Sequence, residues 1–178
     1  MFKRVFILAI LITLLLGATP ARATTSGGWV PAPSAPFDAP AGTRCDFAVH
    51  AEPVLDEVKT RVLARYPDGS TKREAYVGDL IFAVTNLATS RTIRVDIGGS
   101  ALVDYARGGT LETNSTWHLV GPAMFGFREN GGNRPRGIYV FDGVFRVAFD
   151  ATGVKTVTRY QGSERNLCEE LGESEDIR

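Results

Sequence analysis

Histidine, cysteine and lysine are scarce in this 178-residue chain, and each scarcity removes a chemistry. His50 and His118 are the only histidines, and neither has partners at ligand spacing. A catalytic zinc needs about three nitrogen, oxygen or sulfur ligands, so no metal site is expected. There is no Gly-x-Ser-x-Gly elbow to expose a nucleophilic serine. No Gly-rich loop opens a helix, because the Gly pairs fall between extended segments where turns need them. No cofactor and no catalytic residue are therefore assigned, and the balance leans away from an enzyme. Carboxylate pairs of the glycosidase kind leave no local spacing to read. Only four lysines occur among 20 basic residues, set against 20 acidic ones. Nucleic acid, which needs a basic surface, is not an expected partner. No helical period of any length runs through the interior, which excludes helical and α/β architectures.

The longest apolar run stands at the N-terminus. Lys3 and Arg4 precede an apolar stretch from Val5 to Leu16, and Ala21-Arg22-Ala23 has the small-x-small form of a processing site. Residues 1–23 read as a secretory signal cut between Ala23 and Thr24. The run is short of the ~20 apolar residues that a spanning helix wants, so no stable membrane insertion is expected after the cut. Losing Lys3, Arg4 and Arg22 leaves 17 basic against 20 acidic residues, a net of −3. Residues 24–42 form a Pro/Ala-rich linker, with Pro31, Pro33, Pro36 and Pro40 holding it extended. Its apolar members Trp29, Val30 and Phe37 suit docking on the domain that follows; an adhesive arm is the alternative. The mature protein is expected to be secreted.

Export bears on the cysteines. Cys45 and Cys168 are the only two, so an oxidising compartment favours one bridge between them. Closing so long a loop stabilises by up to about 5 kcal/mol in the chain-entropy view. The pair brackets an expected domain of residues 43–171, with an acidic tail at 172–178.

Inside the bracket the pattern is period two. Val58, Thr60, Val62, Ala64 and Tyr66 share one face, with Lys59, Arg61 and Arg65 on the other. Pro67-Asp68-Gly69-Ser70 is a turn, since proline presets φ and glycine accepts positive φ. Leu80–Asn86 is apolar on both faces, as in a covered strand. Ile93, Val95 and Ile97 alternate with charges, Ala101, Val103 and Tyr105 share a face, and so do Trp117 and Leu119. Ile138–Phe141 is apolar throughout, and Phe145, Val147 and Phe149 face inward. Residues 53–59 have room for one helical turn, and residues 164–171 for a short helix bearing Leu167 and Leu171. About 8–10 short strands at regular spacing indicate an all-β, antiparallel, β-barrel-like domain; a β-sandwich is the alternative.

Three groups could carry a function. Tyr105, Trp117 and Tyr139 lie on apolar faces, where aromatics either fill a small barrel or line a cup for an apolar ligand. Arg128, Arg134 and Arg136 load the longest internal loop, where they can receive an anion or stand in solvent. Asp96 and Asp104 flank Gly98-Gly99 and could meet across a hairpin.

The motifs Cys45-Asp46-Phe47, Pro67-Asp68-Gly69, Thr85-Asn86-Leu87-Ala88-Thr89 and Cys168-Glu169-Glu170-Leu171 follow a signal and a Pro/Ala spacer. In that order they resemble a group of small secreted β-rich proteins of actinobacteria. The resemblance implies an exported all-β domain and supplies no site residue, because the group has no assigned activity. The expected function is a non-catalytic module binding a small apolar ligand or an envelope or extracellular protein. A small isomerase- or cyclase-type enzyme and a protein-directed inhibitor or adhesion domain are the alternatives.

Overall fold

The computed structural model describes residues 27–172. The expected signal, its cut between Ala23 and Thr24, and nearly all of the acidic tail lie outside them. The described chain runs β1 Val30–Pro31, β2 Phe37–Ala39, β3 Val49–Asp56, β4 Lys59–Arg65, β5 Thr71–Val77, β6 Leu80–Asn86, β7 Thr92–Asp96, β8 Ser100–Thr110, β9 Thr113–Val120, β10 Ala123–Phe127, β11 Gly137–Phe149, β12 Lys155–Asn166 and α1 Leu167–Gly172. It is all-β and antiparallel, as its alternation and turns require.

Two sheets form. The smaller has the order β2-β3-β6-β7, and the larger runs β1-β4-β5-β8-β9-β11, with β10 and β12 also paired to β11. Among the described residues neither sheet closes into a barrel, and the arrangement agrees with the sandwich alternative. Successive hairpins go to alternate sheets: β4-β5 to the larger, β6-β7 to the smaller, β8-β9 to the larger. The chain therefore crosses between sheets at Gly78 and again at Gly98. A Cβ at Gly78 would strike the Glu57–Val58 backbone, where an earlier crossing passes.

The Pro-rich segment from Gly27 onward is docked, and each sheet takes one of its short strands. Val30 pairs with Thr60 in β4, and Phe37 pairs with Ala51 in β3. Asp56 accepts the Ser34 N–H at 2.6 Å, and Asp38 bonds His50 Nδ1 at 2.7 Å. Residues 53–59 hold no helical turn. They are extended, with Pro53 at a register shift between Pro53 and Leu55, a position where a sheet tolerates proline. The C-terminal helix is present as α1.

The larger sheet is creased. Residues 144–149 of β11 lie between β9 and β12, and residues 139–141 between β10 and β12. So β9 and β10 follow one another along one edge of β11. Where they meet, Gly121, Gly143 and Gly162 lie across three strands, linked by the Gly121 N–H to the Gly143 carbonyl and by the Gly143–Gly162 pairing. All three have positive φ, and side chains at Gly143 and Gly162 would strike the opposite backbone. The fold is sharp enough for Phe125 to lie 6.3 Å from Phe141 and 6.2 Å from Phe149. In a straight strand those two rings would stand roughly 27 Å apart.

Two cores result, and β11 feeds both. Ile138 and Val140 join Val49, Ala51, Phe82, Val84 and Val95 of the smaller sheet, with Leu167 and Leu171 of α1 closing the end. Tyr139, Phe141, Phe145, Val147 and Phe149 join Phe125, Phe127, Leu119 and Val157 on the inner side of the crease. Ile138–Phe141 is apolar throughout because both of its faces are covered. The Cys45–Cys168 disulfide, Cα atoms 5.3 Å apart, ties the approach to β3 to the start of α1. Asn86, fully buried, donates to the Leu171 carbonyl at 3.1 Å and accepts the Ala88 N–H at 2.9 Å. One side chain thus satisfies both its own turn and the helix end.

Candidate ligand site

A cleft of about 820 Å³ opens between the docked Pro-rich arm, the Leu80 and Ile97 edge of the smaller sheet, and the aromatic face of the larger one. That volume lies in the range of small-molecule sites. Trp117, Met124, Phe125 and Phe149 give it an apolar wall. Arm residues from Ala35 to Arg44 form the opposite side.

Trp117 is placed by β9 and fixed by three neighbours. Its indole N–H donates to the Leu111 carbonyl at 2.9 Å. Its ring lies parallel to Tyr76 and edge-on to Phe125 at 5.8 Å. One edge stays half-buried on the cleft, the usual use of an aromatic with a polar handle.

Tyr105 and Tyr139 lie elsewhere. Tyr139 is 7% exposed inside the aromatic core, stacked on Phe141 and edge-on to Phe127. Tyr105 is 8% exposed, and its hydroxyl donates to Glu74 at 3.0 Å, beside Tyr76, which donates to the same oxygen at 2.9 Å. Burial, then the Tyr76 and Glu74 neighbours, push the Tyr105 hydroxyl well above the usual tyrosine range. Tyr105 and Tyr76 are therefore fixed donors to the Glu74 carboxylate. Of the three aromatics singled out in the sequence, the structure brings only Trp117 to the cleft.

One end of the cleft is charged. Arg44, Arg128 and Lys155 converge there with Glu112, and the same four residues, together with Glu129, line a neighbouring hollow of about 350 Å³. Arg44 lies across β10 at Gly126, where a Cβ would come within 2.9 Å of its Nε. The Lys155 ammonium sits 5.5 Å from the Phe149 ring centre and 5.8 Å from that of Phe127. Burial, then the Arg44 charge, lowers the Lys155 ammonium below its ordinary range, and Arg128 adds to the effect. Burial, followed by Arg128, does the same to Arg44.

The Arg-rich loop divides. Arg134 pairs with Glu164 at 3.0 Å, and Arg136 pairs with Asp46. Arg128 alone turns to the cleft. Asp96 and Asp104 do not meet, because β7 and β8 belong to different sheets. Asp104 instead takes Arg73 at 2.5 Å and His118 at 3.2 Å. The Arg73 hydrogen bonds hold its carboxyl below the usual range. Among the described residues no three His, Cys, Asp or Glu side chains come together as a metal site.

Arg44 and Lys155 escape a reading of the sequence. Arg44 precedes a cysteine at the start of the expected domain, just past the linker. Lys155 carries a weak signal, being a cation on the same strand face as apolar Val157. No family model matches the chain, and no curated protein or solved structure is significantly similar to it. The resemblance to actinobacterial secreted proteins rests on the turn and cysteine motifs alone.

Proposed function

We propose that this protein is an exported, non-catalytic module that binds a small apolar ligand in the cleft beneath its Pro-rich arm. The observation that carries this reading is the cleft of about 820 Å³ walled by Trp117, Met124, Phe125 and Phe149. Apolar surface left in a concave site of that size is favourable to cover, at roughly 25 cal/mol per Å². Export is supported by the signal-like pattern of residues 1–23, and the Cys45–Cys168 bridge is compatible with an oxidising compartment. Protein recovered from culture medium should begin at Thr24; an intact Met1 in a cell-retained product overturns that address.

The binding test uses Trp117 as its own reporter. The chain has two tryptophans, and Trp29 lies outside this cleft, beside Val77, Val120 and Val144. In the Trp29→Phe variant, dodecanol should shift Trp117 emission saturably at micromolar concentration. Emission that does not saturate overturns the reading.

A second reading is favoured by the ionisable groups in the cleft: Lys155, its ammonium held low, stands with Glu112 where a small substrate would lie. Lowering favours the neutral amine relative to an ordinary lysine, the direction that the base of an isomerase or cyclase needs. Ligands recovered unchanged after long incubation count against it.

A further inference from the structure

Three cations are gathered at the cleft's end. Arg73, Arg107, Arg134, Arg136 and Arg165 each hold a carboxylate. Among the described residues, Arg44, Arg128 and Lys155 form no ion pair, although each is near the other two. Glu112 attracts Arg44 and Lys155 across space and Glu129 lines the adjoining hollow, so three cations face two carboxylates and a surplus of one positive charge remains. Arg44 and Lys155 are each about half buried and mutually repelled. Like charges gathered in a partly desolvated place are costly unless an anion joins them. Their place is also particular, since they close one end of an apolar cleft rather than an open face. The Lys155 ammonium over the Phe127 and Phe149 rings marks the boundary between the two environments.

We infer that the cleft takes an anionic amphiphile, its apolar body against Trp117, Phe125 and Phe149 and its carboxylate or phosphate head on Arg44, Arg128 and Lys155. This rests on the cleft being a ligand site. It adds the chemistry of the head group and fixes the ligand's direction, head toward the turn that begins β12. Guanidinium groups suit such a head because they donate forked hydrogen bonds to a planar or tetrahedral anion.

The test titrates the Trp29→Phe protein with dodecanoate, dodecyl phosphate and dodecanol, all below their aggregation concentrations, reading Trp117 emission. At least one anion should bind about tenfold or more tighter than the alcohol, as charge-assisted hydrogen bonds imply. Preference for dodecanoate assigns a carboxylate head, and preference for dodecyl phosphate assigns a phosphate head. Adding Arg128→Met and Lys155→Met should abolish the anion preference, bringing both anions to within about twofold of dodecanol measured in the same variant. Arg128→Gln alone serves if the double variant loses its native circular dichroism, and should reduce the preference. Dodecanol binding as tightly as both anions, or an anion preference that survives these substitutions, overturns the inference and leaves the apolar cleft standing. A Trp117 signal silent to all three compounds overturns the cleft itself.

Discussion

The two cores are built on different principles. The one between the sheets is mainly aliphatic, with Val49, Val84, Val95, Ile138, Leu167 and Leu171 fully buried or nearly so. It is fastened from outside by a disulfide, by Asn86 on α1 and by His50 on the arm. The other is a nest of rings inside a creased sheet, with no covalent fastening. Its shape is set by backbone glycines, and the rings fill the angle they create. Where side chains from two sheets interdigitate, fastenings at the ends hold the layers together. Where one sheet folds on itself, the bend itself must be permitted by the sequence.

Breaking the crease should cost most. Gly162→Val puts a β-branched side chain at a φ of 154° and against the Asp142 carbonyl. It should remove about 5 kcal/mol, most of the stability of an ordinary domain, with loss of the near-UV circular dichroism of the aromatic nest. Urea denaturation measures it, and a loss under about 1 kcal/mol would mean the crease is not what shapes this core. Next comes the disulfide. Cys45→Ala with Cys168→Ala should lose about 3–4 kcal/mol by releasing a long loop. The loss should fall on the aliphatic side, with amide exchange rising in β3, β6 and α1 before β9 and β11. Uniform loosening of both cores would dissolve the contrast.

Asn86→Ala should cost about 2 kcal/mol, because a buried carbonyl and two turn N–H groups lose their partner. The smallest effect is a pH effect. The Asp38 hydrogen bond raises the His50 pKa above its ordinary 6.5. With the folded value raised, the added arm stability is fully present below about pH 6.5 and fades as pH climbs through the raised value. Proton NMR of His50 should show that raised pKa, and Asp38→Asn should bring it down. An unchanged value in the variant would detach the arm from this contact.

Much of the larger scheme was legible. The β4–β5 hairpin followed from Pro67-Asp68-Gly69, and the inward face of Phe145, Val147 and Phe149 in β11 from their alternation. Period two tells which face a residue takes but not which sheet its strand joins, so the dealing of hairpins to alternate sheets stayed hidden. Asp96 and Asp104 show the consequence: two residues beside one Gly-Gly turn end in separate sheets. The crease was hidden for a related reason. Gly121, Gly143 and Gly162 are 22 and 19 positions apart in sequence, and each alone reads as a turn or bulge. The cleft's charged end unites Arg44, Arg128 and Lys155, whose meeting depends on all three strand pairings around β10 and β11. Of the site, Trp117 was visible as a candidate because burial and a cleft edge both favour an aromatic on an apolar face, and Arg128 as one cation of the Arg-rich loop.

The clasp has a consequence for the order of events in the life of the chain. Cys45 and Cys168 are separated by 123 positions, and Leu167 and Leu171 close a core whose other members begin at Ala39. A chain delivered from its N-terminus holds the smaller sheet's apolar residues without their cover until its last dozen described residues arrive. Folding dominated by such distant pairings is slow. The smaller sheet's core is thus complete only once residues 167–171 have joined it.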